Sequence, residues 1–275
     1  MTLFKVLVTC PPMIGMIKSF KDKANSLGLE LNSVQVEQTL TEEKLIELLP
    51  EFDGWIIGDD PATKGVFEAG KKGRLRAAVK WGIGTDNIDF DACRDLDIPI
   101  INTPGMFGSE VADITLGYVI ALARYTFGID REIKKGNWPK PSGISLKNKK
   151  VGIIGYGDIG KNTARRLLAC EMNVIVYDPF AEESSIESGI SLRKWPLCLD
   201  ECDFIVVNCA LSKSSYHLLN KDTFKKMKKG VRIVNVGRGP IIDENALIDA
   251  LESNIVHSVA LDVFENEPLP INSRL

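Results

Sequence analysis

Short runs of β-branched and apolar residues alternate along the chain with longer segments whose apolar residues recur at helical spacing. The first half offers the predicted strands FKVLVT (4–9), LELNSVQV (29–36), GWIIG (54–58), AAVKWG (77–82) and IPIIN (98–102). The second half offers KKVGIIG, MNVIVYD, CDFIVVN, GVRIVNVG and HSVALDV. This alternation is typical of a parallel sheet covered by helices on both faces, so the pattern predicts an α/β fold.

The longest helical signal follows NTPG (102–105) and is apolar on more than one face, which predicts that it is buried against something large. We expect the helix from Ser109 to Arg124 to lie between the two subunits of a homodimer, because exposed apolar patches of that size are rare on monomers. A loop rich in Pro and Gly (136–146) then leads into a second series of strands and helices. The predicted domain boundary lies near Ile101 to Pro104.

Composition narrows the class of protein. The 34 Lys and Arg against 37 Asp and Glu leave a net charge of −3, which supplies no general attraction for nucleic acid or an anionic membrane. The N-terminal apolar run is too short for a signal peptide and no segment is long enough to span a bilayer, so we expect a cytoplasmic protein. Among the six cysteines, Cys198 and Cys202 are close in sequence, but no second pair or nearby His completes a metal site. We expect buried free thiols and no metal.

The most specific motif is VGIIGYGDIG (151–160), in which Gly155, Gly157 and Gly160 form G-x-G-x-x-G between a strand and a helix. The first glycine permits a tight turn, the second lets backbone approach a pyrophosphate, and the third lets the helix pack closely. Asp178 ends the next strand, eighteen residues after Gly160 (178 − 160 = 18), where a carboxylate accepts the ribose hydroxyls of NAD and repels the 2′-phosphate of NADP. A plain glycine turn or an S-adenosylmethionine site is the alternative.

Two further stretches carry a resemblance to a known family. GVRIVNVGRGPIIDENALIDAL (230–251) is followed by LDVFENEP near the end of the chain, and WGIGTDNIDFDACRDLDIPIINTPG (81–105) lies in the first half. Together with VGIIGYGDIG they resemble the D-isomer-specific 2-hydroxyacid dehydrogenases, and within that family the 3-phosphoglycerate dehydrogenases. The first eighty residues match only in their rhythm of strands and helices.

The resemblance implies a fold and an activity. Residues 1–101 would form a flavodoxin-like substrate domain, and residues 102–275 would form a Rossmann-type NAD-binding domain that is truncated at its C-terminus. The chain would transfer a hydride between the nicotinamide and C2 of a small D-2-hydroxy or 2-keto acid, including acids similar to phosphoglycerate. The alternative is a catalytically silent NAD-binding protein that acts through a protein partner.

The resemblance also assigns roles to single residues. The substrate arginine falls on Arg238 and the catalytic glutamate on Glu267. The remaining assignments are a substrate loop at Gly82, Ile83 and Gly84, pyrophosphate contacts at Asp158 and Ile159, walls of the adenine and nicotinamide ends at Val236 and Cys209, and a nicotinamide-side aspartate at Asp262. For the glycines of the substrate loop, a tight structural turn is the alternative.

The position of Arg238 supports its role independently. It follows the carboxyl end of a predicted strand, where open α/β sheets bind ligands, and a guanidinium can bind a carboxylate with two hydrogen bonds. A surface ion pair with Asp243 or Glu244 is the alternative.

The histidines do not follow the pattern of the family, which implies a proton-donating histidine after Glu267. The sequence contains only His217 and His257, and neither occupies that place. We therefore expect a truncated form of a longer dehydrogenase. Two other departures are Glu110, where the resemblance implies a small hydroxyl residue, and Asn208, where it implies histidine.

A final departure concerns phosphate. The loop GDDPATKG (58–65) carries Asp59 and Asp60 and only Lys64 as a cation, whereas the resemblance implies basic residues there. The loop predicts poor binding of a phosphate group.

Overall fold

The computed structural model describes residues 3–275 and contains two compact units, the first ending at Met106 and the second spanning Phe107–Leu275. Each unit has one sheet, and every strand pair in both sheets is parallel. The predicted α/β class is confirmed. The units divide between Met106 and Phe107, a few residues after the boundary drawn from the sequence.

The first unit has five strands in the order β2-β1-β3-β4-β5. The strands are β1 (Phe4–Val8), β2 (Leu29–Ser33), β3 (Gly54–Ile57), β4 (Ala77–Lys80) and β5 (Ile100–Ile101), and the helices are α1 (Pro11–Ser26), α2 (Glu42–Leu48), α3 (Lys64–Lys72) and α4 (Phe90–Asp95). A short 3-10 helix, Leu49–Glu51, follows α2. The register places Ile57 beside Lys80, so the loops after β3 and β4 start side by side.

Helix starts in the first unit follow from local sequence. Thr41, Thr63 and Asp89 precede α2, α3 and α4, and each side chain accepts a backbone N–H from the first turn. Such caps satisfy donors that a helix cannot pair internally. The main core buries Trp55 and Phe67 on one face of the sheet, and a smaller cluster lies under α1 on the other face.

The second unit has six strands in the order β11-β10-β9-β6-β7-β8. The strands are β6 (Lys150–Ile154), β7 (Asn173–Tyr177), β8 (Ile190–Leu192), β9 (Phe204–Val207), β10 (Val231–Asn235) and β11 (Val256–Leu261), and the helices are α5 (Gly108–Arg124), α6 (Thr126–Lys134), α7 (Asp158–Ala169), α8 (Lys221–Phe224) and α9 (Glu244–Glu252). The chain order reverses between β6 and β9, so the carboxyl ends of these two strands form the switch point where such sheets bind ligands.

The long apolar segment forms two helices, α5 and α6. Tyr125, between them, has a left-handed backbone conformation with φ of +59°, which interrupts the helix. Helix α5 packs on α7, yet Ile114 and Ile120 on this helix are 50% and 38% exposed. Strand β8 was not predicted, because three half-buried residues are too short a run to show a strand period.

Across residues 3–275, none of the helices is both long enough and apolar enough to cross a membrane.

Candidate active site

The glycine-rich turn adopts the geometry that its sequence predicts. Gly155 has φ of +93°, and a β-carbon there would lie 2.7 Å from the Cα atom of Cys209. A β-carbon at Gly160 would lie 2.0 Å from the carbonyl oxygen of Gly155, so α7 packs directly on the turn. At Gly157 a β-carbon would meet nothing within 4 Å. The turn is therefore closed toward the protein and open at Gly157, which is the shape that admits a pyrophosphate.

Asp178 is fixed at the carboxyl end of β7 by the turn itself. Its Oδ2 atom accepts the N–H of Tyr156 at 2.7 Å, and its Oδ1 atom accepts the N–H of Phe180 at 2.8 Å. A carboxylate has about four acceptor sites in all, so both oxygens keep capacity for hydroxyl donors. This arrangement fits the ribose of NAD.

Asp158 and Ile159 begin α7. The carboxylate of Asp158 lies against Gly108 at the start of α5, where a β-carbon would be 2.3 Å from an Asp158 oxygen. The Asp158 residue is exposed, and its Oδ1 atom accepts Asn162 Nδ2 at 3.1 Å. The backbone N–H groups of residues 158 and 159 lie at the positive end of the helix, where a phosphate can bind.

Cys209 supports two turns through its backbone. Its Cα atom limits Gly155, and its carbonyl oxygen would lie 2.8 Å from a β-carbon on Gly237. Burial raises the pKa of the Cys209 thiol to about 11, so the group is a neutral thiol at pH 7. Val236, which the sequence placed at the wall of the cofactor site, is 8% exposed and belongs to the core under α7.

Asn208 lies at the carboxyl end of β9. Its N–H donates to the carbonyl of Ile154, and its side-chain Nδ2 atom donates to Thr163 Oγ1 at 3.1 Å. Its Oδ1 atom is a buried acceptor with no hydrogen-bond partner among residues 3–275. Such an atom is rare and destabilising unless something supplies a donor, so a bound group or water at the turn would satisfy it.

The loop that carries Arg238 is braced by Asn235, a residue that the sequence did not single out. Asn235 is 1% exposed; its Nδ2 atom donates to the carbonyl of Arg238 at 3.0 Å, and its Oδ1 atom accepts the N–H of Gly237 at 3.0 Å. The sequence signal was a lone amide at the end of an apolar strand. Both ends of its side chain fix the backbone from which Arg238 projects.

The loops after β10 and β11 touch each other. A β-carbon at Gly239 would lie 1.9 Å from the carbonyl carbon of Phe264, and the N–H of Asp262 donates to the carbonyl of Asn235 at 2.9 Å. The structure thus brings the segment 262–267 beside the Arg238 loop. Glu267 is exposed and its Oε1 atom accepts the N–H of Phe264 at 2.8 Å.

Asp262 is exposed and receives the hydroxyl of Tyr118 on its Oδ1 atom at 2.8 Å. Burial, together with this hydrogen bond to a carboxylate, raises the pKa of Tyr118 to about 12. The phenol therefore stays protonated and remains a donor to Asp262.

The carboxylates of Asp243 and Glu244, considered as surface partners of Arg238, have other tasks. Asp243 caps α9 by accepting the N–H of Ala246 at 3.0 Å. Glu244 accepts the N–H of Glu265 at 2.7 Å through its Oε1 atom. These bonds tie the start of α9 to the segment that precedes Glu267.

The two histidines have hydrogen-bond partners other than Glu267. His217 Nε2 is 2.9 Å from Glu265 Oε1, and His257 Nε2 is 3.2 Å from the hydroxyl of Tyr125 at the opposite end of β11. Within residues 3–275, no hydrogen bond joins either imidazole to Glu267.

The predicted substrate loop lies in the first unit. Gly82 has φ of +144°, and its N–H donates to Thr103 Oγ1 at 2.9 Å. The resemblance implied that this N–H receives the substrate carboxylate, but here it is already paired with Thr103. The carbonyl of Ile83 accepts Asn102 Nδ2 at 3.0 Å. The N–H groups of Ile83 and Gly84 donate to no acceptor in the described part of the chain.

Lys80, which the sequence did not identify, ends β4 two residues before this loop. Its side chain is 2% exposed; the ammonium donates to the carbonyl of Gly58 and to Asp59 Oδ1, the latter at 2.8 Å. Asp60 is fully buried and accepts the N–H groups of Gly58 and Leu40 and the hydroxyl of Thr9. The loop after β3 is therefore built around two buried charges.

Over the described range no group of three or more His, Cys, Asp or Glu side chains is placed to hold a metal ion. Of the pair expected to be buried free thiols, Cys202 is buried and Cys198 is half-buried. Among the other free cysteines, Cys10 and Cys93 are buried, and Cys170 and Cys209 are half-buried.

The strand, glycine turn, helix start and carboxylate of the second unit define an NAD-binding domain. Residues 116–275 match the NAD-binding domain of the D-isomer specific 2-hydroxyacid dehydrogenases. The chain belongs to this family.

Two relatives and one solved structure illustrate the similarity. The chain is 36% identical over 246 residues to a hydroxypyruvate reductase of Thermotoga maritima, covering 87% of this chain and 79% of the relative. It is 36% identical over 245 residues to a D-3-phosphoglycerate dehydrogenase of Archaeoglobus fulgidus, covering 88% of this chain and 46% of that one. The apo-structure of a D-lactate dehydrogenase from Escherichia coli superposes with a TM-score of 0.81 at 28% identity, covering 96% and 83% of the two chains. The chain thus spans less than half of that phosphoglycerate dehydrogenase.

Proposed function

We propose that the chain transfers a hydride between NAD(H) and C2 of a small D-2-hydroxy or 2-keto acid. The observation that carries the proposal is the backbone contact between Gly239 and Phe264, which joins the Arg238 loop to the segment containing Glu267. Both loops follow strands of the sheet whose neighbouring turn fits NAD. The relatives are named as reductases and dehydrogenases, which favours an enzyme over a silent NAD-binding protein.

The chain's own residues would hold the cofactor through backbone and one carboxylate. Gly155, Gly157 and Gly160, with the first N–H groups of α7, receive the pyrophosphate, and Asp178 receives the ribose hydroxyls. Bound NAD supplies the hydride acceptor, and NADH the hydride donor. Tyr118 holds Asp262, the residue assigned to the nicotinamide side, in one orientation through its hydrogen bond.

Arg238 would orient the acid. Its guanidinium offers several N–H donors to the carboxylate or the C2 oxygen, and the brace at Asn235 keeps its backbone in place. Ile83 and Gly84 would receive the carboxylate through their N–H groups. Glu267 would hold the proton-transferring group, because a carboxylate raises the pKa of the imidazole that it contacts and fixes the orientation of the ring.

The finer parts of the proposal concern assembly and location. Two copies would associate through α5, on which the apolar side chains of Ile114 and Ile120 are exposed. The reaction would take place in the cytoplasm.

The test is NADH oxidation with glyoxylate, hydroxypyruvate and pyruvate. We expect Arg238→Ala to lower kcat/KM at least about 10²-fold, because the acid is no longer oriented. Arg193→Ala is the matched control, since Arg193 is an exposed arginine of the same unit whose guanidinium donates to the neighbouring carbonyl of Leu192. Binding of NAD with neither binding nor turnover of any acid would support the silent NAD-binding protein instead.

A further inference from the structure

We infer that the acid used by this protein carries a single anionic group, and that the Asp59–Lys80 pair excludes a phosphorylated acid. The inference rests on the proposed function and names its substrate class. It concerns the loops after β3 and β4, which the register of Ile57 with Lys80 places side by side.

The ammonium of Lys80 is already paired with groups of the protein. Its side chain is 2% exposed, and its ammonium donates to the carbonyl of Gly58 and to Asp59 Oδ1 at 2.8 Å. A buried ammonium is stable only when such partners replace its hydration. An incoming anion would have to displace Asp59 before reaching it.

Asp59 turns the surface over Lys80 negative. The Asp59 side chain is 79% exposed, so its carboxylate covers the buried ammonium and faces solvent. Asp60 adds a second, fully buried carboxylate to the same loop, and both of its oxygens accept hydrogen bonds from the protein. Lys64, the next cation along the chain, is 65% exposed and lies 3.9 Å from Glu68. The loop therefore presents a net negative face to a ligand.

The substrate loop adjoins this face. A β-carbon at Gly82 would lie 3.5 Å from the Cε atom of Lys80, so the lysine stem runs under the start of the loop. The N–H groups of Ile83 and Gly84 have no acceptor among residues 3–275, and two neutral donors suit one carboxylate. A phosphate on the same small molecule carries about two additional negative charges, and Asp59 would repel them because like charges repel.

The inference separates two kinds of relative. One is named a hydroxypyruvate reductase and the other a D-3-phosphoglycerate dehydrogenase. Hydroxypyruvate is a 2-keto acid without phosphate, and 3-phosphoglycerate is a 2-hydroxy acid with one. Asp59 and Lys80 favour the acid without phosphate.

The experiment measures binding of D-glycerate and 3-phospho-D-glycerate to the NAD-saturated chain by calorimetry. We expect wild type to bind D-glycerate at least about tenfold more tightly, the effect of one opposing charge near a protein surface. Asp59→Asn keeps the shape of the side chain and removes its charge, so the ratio of the two affinities should fall about tenfold. Glu68→Gln is the matched control, because it removes a carboxylate of the same unit without touching Lys80, and it should leave the ratio unchanged.

Each outcome decides the inference. A merely structural role for Asp59 would change both affinities together, and an unchanged ratio in Asp59→Asn would overturn the inference. Equal affinities in wild type would overturn it while leaving the proposed function standing. If neither acid binds while NAD does, the proposed function fails and the inference fails with it.

Discussion

Gly239 and Phe264 are in backbone contact: a β-carbon on the glycine would lie 1.9 Å from the carbonyl carbon and oxygen of the phenylalanine. The atoms involved are main-chain atoms, so no rotamer change can relieve the clash. The residues assigned to substrate and to proton transfer therefore depend on a glycine that takes no part in the chemistry.

The first prediction is that Gly239→Ala separates these loops. We expect a loss of unfolding free energy of about 1–3 kcal/mol, as for other overpacked sites, together with a loss of acid turnover. Urea unfolding and NADH oxidation would measure the two effects. Gly128→Ala is the control, since Gly128 lies in α6 with nothing within 4 Å of its β-carbon position and should leave activity intact. Wild-type activity in Gly239→Ala would contradict the proposed role of this contact.

The second prediction concerns the choice of cofactor. Because both oxygens of Asp178 are fixed beside the turn, the chain should bind NAD(H) in clear preference to NADP(H). Asp178→Asn should reduce the preference about tenfold by removing the charge that opposes a 2′-phosphate. Calorimetric titration with both nucleotides checks this, and NADP(H) binding as tight as NAD(H) binding to wild type would refute it.

The third prediction concerns the proton. No imidazole within residues 3–275 is hydrogen-bonded to Glu267, so residues 1–275 should bind NAD yet reduce 2-keto acids slowly. A positioned general acid contributes ~10²–10⁴ in rate. Adding after Leu275 a C-terminal segment that supplies an imidazole to Glu267 should raise the rate by that order. His217→Asn and His257→Asn should change little, and equal rates for the short and extended chains would show that the proton comes from a group within residues 1–275.

The fourth prediction concerns assembly. Helix α5 exposes Ile114 and Ile120, and their burial between two copies should give a dimer at micromolar concentration. Ile120→Glu should produce monomers, because it places a charge in that interface. Ile46→Glu, which changes a comparably exposed isoleucine on α2, should remain dimeric. Sedimentation velocity distinguishes the species; a monomeric wild type would contradict the prediction.

The fifth prediction concerns pH. Burial, followed by the charge of Arg232, lowers the pKa of His257 below its ordinary value. The unfolded chain therefore binds a proton at higher pH than the folded chain does. The contribution of His257 to stability is complete above the ordinary imidazole pKa of ~6.5 and is lost as pH falls below it. Urea unfolding between pH 5 and pH 8 should show a weaker loss on acidification for His257→Asn than for wild type. Parallel curves for the two proteins would contradict the assignment.

The local pattern of the sequence was sufficient to predict the nucleotide-binding turn and most of the strands. Gly155, Gly157 and Gly160 lie within six residues, so spacing alone defines their geometry, and Asp178 follows from the next strand. The break at Tyr125 was not predicted because apolar spacing continues across it. Its left-handed backbone accompanies contacts with His257, 132 residues away.

The missed site residues depend on register between distant segments. Lys80 looks like an ordinary strand residue until β3 lies beside it and Gly58 and Asp59 reach its ammonium. Asn235 looks like an ordinary strand end in the sequence. In the fold, its side chain accepts the N–H of Gly237 and donates to the carbonyl of Arg238. Neither pairing has a signature within one short window of sequence.

Cys209 has a consequence for mutational tolerance. Its main-chain atoms, rather than its sulfur, limit the space at Gly155 and at Gly237, so one peptide segment sets the clearance of both the nucleotide turn and the arginine loop. In a library of single substitutions, position 209 should accept small side chains of several kinds, while the two glycines on either side of it should accept none. Side chains of different chemistry would be tolerated at position 209, whereas the backbone geometry at Gly155 and Gly237 would have to be preserved.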